Sequence, residues 1–399
     1  MGEVTCFTGA IVLAGDDLRV TAGQALLVES GRILALDAPP ASARQVDLSG
    51  HVLCPMFIDA HTHVGDTGAK ELGIGLPLEK VVVPPNGVKH RFLQSVQGTP
   101  SHIGMMRHGL QEMLSNGIIA LADFREQGLP GVRALRQASA GLPLRVIALG
   151  RMSENAPPDQ METEAHTLLE EADGLGVRDV ESYPLEVMQR LRAAYPRKLF
   201  AAHAAEDKTS ELRSRHETGR GQAARLLDWQ PDFLVHLIHA SPEDLQRLSA
   251  AGVLAVACPR CNGLLGSGQP QLAQWTYLGL AFALGTDNVM FNSPDMLREM
   301  DYASRLTRGQ EQNAAALEPR RLLQAATLEG ARALHLDGEL GSLAPGKEAS
   351  FIAFDLHSPN LEYQQDVISA LVHRASPADI AGIYVKGEAV IIPAKQVVL

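Results

Sequence analysis

Apolar runs of strand length recur through the middle of the chain: HVLCPMFIDA, GIIALADF, LRVIALG, a weaker ADGLGVRDV, KLFAAHAA, DFLVHLIHA, GVLAVACP and LAFALGTD. Between them, apolar positions return every three to four residues, the period of an amphipathic helix. Two of these stretches carry marks at both ends. TPSHIGMMRHGLQEMLSNG opens with Thr99 as N-cap and Pro100 at the first helical position, and closes at Gly117. SPEDLQRLSAAG repeats the pattern with Ser241, Pro242 and Gly252. Strands that alternate with helices eight times predict an α/β fold, a (β/α)8 TIM barrel. The two ends have a different texture. ALLVES-GR-ILALD reads as strand, tight turn and strand, and ASFIAFDL with IAGIYV-KG-EAVII reads the same way. These ends predict one small β-sandwich domain formed by residues 1–55 plus 338–399, with the barrel spanning 56–337.

Composition narrows the class. A chain of 399 residues is long enough for a barrel and a satellite domain. Its formal net charge of −11 argues against nucleic acid and anionic membrane as partners, because both reward basic patches. Four cysteines are too few for a disulfide scaffold. The opening MGEVTCFTGAIVLAGDD lacks the basic n-region of a secretory signal. No apolar run approaches the roughly 18 residues of a membrane helix. A cytoplasmic enzyme acting on a small molecule is the expectation.

Barrel chemistry sits at the C-terminal ends of the strands. The first strand ends in DAHTH, where His61 and His63, two apart, share a face and can reach one ion. The fifth run carries His203 in HAAE, the sixth His239 in HLIHAS and the eighth Asp287 in GTDN. Any one of these could simply bond a loop carbonyl. Four strands supplying ligand-type residues together point to a metal centre. Histidine and carboxylate donors suit zinc, iron or manganese, and one divalent ion, zinc foremost, is the expected cofactor.

These motifs resemble the amidohydrolase superfamily over nearly the whole chain, including the return segment GSLAPGKEASFIAFD. HAAE, HLIHAS and CPRCNGLLGSG resemble the branch of purine, pyrimidine and S-adenosylhomocysteine aminohydrolases and triazine chlorohydrolases. The resemblance implies that His61, His63, His203 and Asp287 hold the metal and that His239 orients water or substrate. It also implies that Glu206 shuttles protons and that a homodimer is the assembly. Asp287 would accept a proton from the water that the cation activates. Binuclear relatives bridge two ions with a modified lysine, and no lysine lies between Lys89 and Lys198, so one ion is expected, with a glutamate bridging two the alternative.

Lys89, His90, Arg260 and Asn262 are expected to touch substrate, with solvated charge the alternative for the first two. His236, three before His239, is expected on the opposite face. Cys258 and Cys261 form a single CxxC pair with no counterpart, so zinc or redox work is not expected of them. The implied reaction is deamination of a heterocycle by metal-activated hydroxide. The alternatives are hydrolysis of a cyclic amide or ring halide at the same site, or an inactive barrel serving as a binding or scaffold protein. The chain keeps every ligand, which weighs against the last.

Overall fold

The computed structural model describes residues 3–40, 42–83, 86–154 and 156–391. Pro84 and Pro85 of the loop after the first strand, and residues 392–399 of the expected end domain, lie outside them.

Eight parallel barrel strands follow the alternation in the sequence: β1 (Phe57–His63), β2 (Ile118–Arg125), β3 (Arg145–Gly150), β4 (Gly174–Val177), β5 (Leu199–Ala204), β6 (Phe233–His236), β7 (Leu254–Ala257) and β8, which comes in two pieces. The first piece, Phe282–Leu284, pairs with β7; the second, Asp287–Asn288, pairs with β1, so the sheet returns to its start. Gly285 lies between them. A Cβ there would stand 2.7 Å from the carbonyl oxygen of His61, so only glycine lets β8 close on β1. Buried on both faces, the strands read as continuous apolar runs rather than alternating ones. Phe124 and Phe233 pack together inside, ring centroids 6.2 Å apart, and Phe200 packs outward against Trp229 and Arg192; all three rings have essentially no exposure. The expected caps are present: Thr99 accepts from the amide of His102, and Ser241 from that of Asp244.

The ends form two further sheets. Val4–Thr8, Ala25–Glu29, Arg32–Asp37 and Arg44–Asp47 make a four-stranded one. Ile11–Ala14, Arg19–Thr21, His51–Pro55, Phe351–Asp355, Ile380–Val385 and Glu388–Ile391 make a six-stranded one. One apolar cluster draws Phe7, Leu26 and Val28 from the first and Val12, Leu53 and Phe351 from the second. Phe7 meets Phe351 edge to face at 4.9 Å. The run HVLCPMFIDA is therefore two strands rather than one. His51–Pro55 pairs antiparallel with Phe351–Asp355, and the barrel begins only at Phe57. Among the described residues, no helix is long and apolar enough to cross a membrane.

Candidate metal centre

His61 and His63 project from the end of β1, His203 from β5, and Asp287 from the second piece of β8, all at the C-terminal rim. Ligand-type nitrogens of the three histidines lie within 4.8 Å of one another. Oδ1 of Asp287 stands 3.3 Å from Nε2 of His61 and 3.4 Å from Nε2 of His63. Donors about 2.0–2.1 Å from a tetrahedral zinc stand about 3.4 Å apart, so these edges fit such an ion.

Hydrogen bonding prepares the donors. Nδ1 of His63 lies 3.1 Å from the carbonyl oxygen of Phe124, and Nδ1 of His203 lies 3.1 Å from that of Val177. A proton on Nδ1 in each leaves the Nε2 lone pair turned inward. His61 is fully buried, yet neither ring nitrogen has a well-directed hydrogen bond, and Oδ2 of Asp287 is buried without one as well. Unsatisfied buried groups are costly, and a cation between them would satisfy both residues.

Electrostatics points the same way. Burial, then the charge of Lys89, pushes His63 down to about 4, and burial holds His203 well below the usual imidazole range. Both rings are neutral near pH 7, the form that binds metal. Burial alone would raise Asp287, but His61 and His236 outweigh it and hold the carboxyl well below its ordinary range. Cys258 also approaches His61 and Asp287. Burial, then Asp287, raises its thiol well above the ordinary range, so it stays protonated.

His239 does not join this group. β6 ends at His236, and His236 and Leu237 both adopt left-handed backbone, φ 74° and 51°. That turn breaks the alternation on which the expectation for His239 rested. His239 leaves the rim and places Nε2 2.8 Å from the carbonyl oxygen of Ser267. His236 takes the inward position, with its ring 5.3 Å from that of His203 and Nε2 3.7 Å from Oε2 of Glu206. Nδ2 of Asn262 approaches its Nδ1 at 3.0 Å; this makes Nδ1 the acceptor and puts the ring proton on Nε2. Asp287 itself has φ 60° and Ala205 has φ 49°. Strained backbone thus collects at this rim, as it does at functional sites.

Glu206 closes the group, with an oxygen near donors of both His236 and Asp287. Burial, then the neighbouring charge of Asp287, raises its carboxyl to about 8. A cavity of about 60 Å³ opens beside it, lined on the loop side by Val82, Lys89, His90 and Leu93. Arg260 is not on its wall. Its guanidinium turns to Oε1 of Glu299, 3.3 Å away, and to the carbonyl oxygen of Ser293. Asn262 is not on the wall either; it is fully buried behind His236.

Other residues of the site were not among the expected ones. Glu126, just past β2, brings Oε1 to 3.0 Å from Nδ1 of His63. Asn288 donates to Oδ1 of Asp287 at 2.8 Å. Arg151 and Arg178 line the cavity from the first positions after β3 and β4. That placement, a charge directly after an apolar run, is visible in LRVIALGR and GLGVR. Among the described residues, Arg151 has no carboxylate partner and its buried Nε has no hydrogen bond. Arg178 meets Glu154 at 3.1 Å.

The amidohydrolase family model matches residues 52–390. A putative aminohydrolase of Methanothermobacter thermautotrophicus is 38% identical over 296 residues, covering 71% of this chain and 76% of that protein. A 5-methylthioadenosine/S-adenosylhomocysteine deaminase of Teredinibacter turnerae is 27% identical, covering 91% and 86%. Among solved structures, a zinc-bound adenosine deaminase from Xanthomonas campestris superposes with a TM-score of 0.84 at 21% identity, covering 98% of this chain and 93% of that one. The zinc complex of atrazine chlorohydrolase from Arthrobacter aurescens gives 0.84 at 20%, covering 99% and 97%. At these identities the two structures speak to the fold, a TIM-barrel type.

Proposed function

The chain belongs to the amidohydrolase family, and from that premise we propose that it is a mononuclear, zinc-dependent aminohydrolase of a heterocycle bearing an amidine-like C–NH2 group. His61, His63, His203 and Asp287 would hold the ion. When bound, it supplies Lewis acidity that makes water a nucleophile near neutral pH. β4 reads Gly174, Leu175, Gly176, Val177 and offers no side chain that could bridge a second ion, which supports one.

The observation that carries the reading is Glu206: a carboxyl that holds its proton near pH 7, placed between His236 and Asp287. Water adds to the ring carbon. Glu206 gives its proton to the adjacent ring nitrogen and Asp287 takes one proton of the water. That proton passes to the amine, and as the C–N bond breaks and ammonia leaves, the adduct's hydroxyl returns its proton to Glu206 and becomes the carbonyl. His236, its proton on Nε2, flanks the space where the water must sit. The deaminases named among the relatives are consistent with this chemistry.

The cavity wall at the ends of β3 and β4 bears on the substrate. Arg151 presents a guanidinium there, of the kind that binds carboxylate or phosphate through paired hydrogen bonds, beside Arg178, which Glu154 and Asp179 already pair. Among the described residues no carboxylate pairs with Arg151, and that free guanidinium on the wall supports a heterocycle carrying an acidic substituent.

The test is ammonia release by zinc-supplemented protein over purines, pyrimidines, pterins and triazines, each with and without an acidic substituent, with chloride release and ring opening followed in parallel. Ammonia from a ring amine is the expected result. Chloride or a ring-opened product without ammonia would replace deamination by the corresponding hydrolysis.

A further inference from the structure

Lys89 belongs to the segment that follows β1, within the short helix Val88–Val96, yet its side chain is buried at 5% exposure. Its ammonium faces three acceptors, as many as it has protons to donate. Oε1 of Glu126 lies 2.7 Å away, Oδ1 of Asn288 2.8 Å, and Oδ2 of Asp66 3.6 Å. Two of these are themselves bonded to residues of the metal centre, and on opposite sides of it. Glu126 reaches Nδ1 of His63 on β1, and Asn288 donates to Oδ1 of Asp287 on β8.

Lys89 can only donate, so each contact has a direction. An amide facing an ammonium must offer its oxygen. Asn288 therefore turns Nδ2 toward Asp287, and Oδ1 of that carboxylate receives a hydrogen bond that orients it. On the other side Lys89 and Arg125 together hold Glu126, whose Oε2 meets the Arg125 guanidinium. Glu126 in turn favours the Nδ1-protonated form of His63, the form whose Nε2 is free for a metal. One side chain thus reinforces the tautomer of one ligand, which the carbonyl of Phe124 also favours, and sets the rotamer of another.

We propose that Lys89 is a positioning residue for the metal centre, a strut from the segment after β1 that holds His63 and Asp287 in their metal-binding geometry through Glu126 and Asn288. This rests on the metal reading given above. It also makes metal retention depend on a segment that walls the substrate cavity.

The test measures zinc affinity by competition with a chromogenic chelator, alongside melting temperature, for the full chain. Lys89→Met removes the donors while keeping length and apolar bulk. It should bind zinc about 10-fold more weakly, the low end of the roughly 10- to 100-fold cost of losing an outer partner of a metal ligand, because it loosens two such partners, Glu126 and Asn288, without removing either. Lys89→Arg should recover part of that loss, and Lys70→Met, in the same segment but paired with Glu112 at the surface, should match the parent. The Lys89→Met and Glu126→Gln losses should be less than additive, because both act through His63. If Lys89→Met fails to fold, Lys89→Gln, which keeps an uncharged amide donor but shortens and neutralises the side chain, reads the same affinity and should be weakened too. Affinity within threefold of the parent in the folded variant overturns the proposal, even if KM rises, since that would make Lys89 a substrate contact only. A parent chain that binds no zinc overturns the metal reading instead, so the two failures are distinct.

Discussion

Asn262 donates its side-chain amide to Nδ1 of His236 at 3.0 Å, and both residues are buried. The contact fixes which nitrogen of His236 carries the proton. It thereby turns a donor, rather than a lone pair, toward Glu206 and Asp287. A residue that does not itself line the cavity thus sets the chemistry of one that does.

The pair gives the first expectation. His236→Ala should lose most turnover, by about 10²-fold or more, while retaining zinc. Asn262→Ala should lose about 10-fold, the scale of a removed orienting partner. His239→Ala should keep both zinc and turnover, since its imidazole serves the carbonyl of Ser267. Zinc content and ammonia release, measured on the same three proteins, decide the matter. A large loss in His239→Ala with His236→Ala intact would reverse the assignment.

The confusion of these two histidines shows what periodicity can and cannot reach. Strand count and strand order follow from the apolar runs, because a parallel barrel buries both strand faces and exposes only the ends. The polar residues that end those runs put His61, His63, His203 and Asp287 at the rim, where the structure brings them together. His236 needed knowledge of backbone. HLIHAS holds two histidines, and only the left-handed turn at His236 and Leu237 decides which faces inward. Arg260 was misjudged for a related reason. The helix Pro259–Leu265 carries it away from the cavity toward Glu299, a partner 39 residues later that no local pattern reveals. Lys89 was noticed, but its partners Glu126 and Asn288 come from β2 and β8, and the sequence does not display which strand ends meet beneath a loop.

The centre should hold one ion. His61→Ala and His203→Ala should each lose zinc, by metal analysis of protein purified without chelator, because each removes one of four converging donors. Two ions per chain at full occupancy would contradict the reading of β4 as unable to bridge.

Arg151 and Arg178 should set substrate charge preference. For a turned-over heterocycle and its carboxylated or phosphorylated counterpart, kcat/KM should favour the acidic member. Arg151→Met should reduce that preference about 10-fold or more, on the scale of a lost charge-assisted pair of about 1.5–3 kcal/mol. The neutral member should be affected little. Equal losses for both members would mean that the arginines shape the wall rather than select charge.

Glu206 bears on both catalysis and stability. As the acid that protonates a ring nitrogen, it should contribute about 10²–10⁴ in rate, so Glu206→Gln should fall by that factor with zinc content and substrate binding little changed. The metal-free protein allows a second reading of the same group. Burial raises the Glu206 carboxyl from 4.5 to about 8, so in the folded state it keeps a proton that the unfolded chain gives up. Below pH 4.5 both states are protonated and the full contribution is present. Between 4.5 and 8 the unfolded chain binds fewer protons, and stability falls as pH rises; above 8 this contribution has been lost. Asp59, Asp66 and Glu299, raised to about 7, 7 and 8 by burial, add to the same decline. Glu206→Gln removes one of the four, so its denaturation midpoint should decline less steeply over that window than that of the parent. Parallel profiles for the two proteins would show a Glu206 carboxyl that titrates as if in water, and a group already ionised at pH 7 has no proton to give the ring.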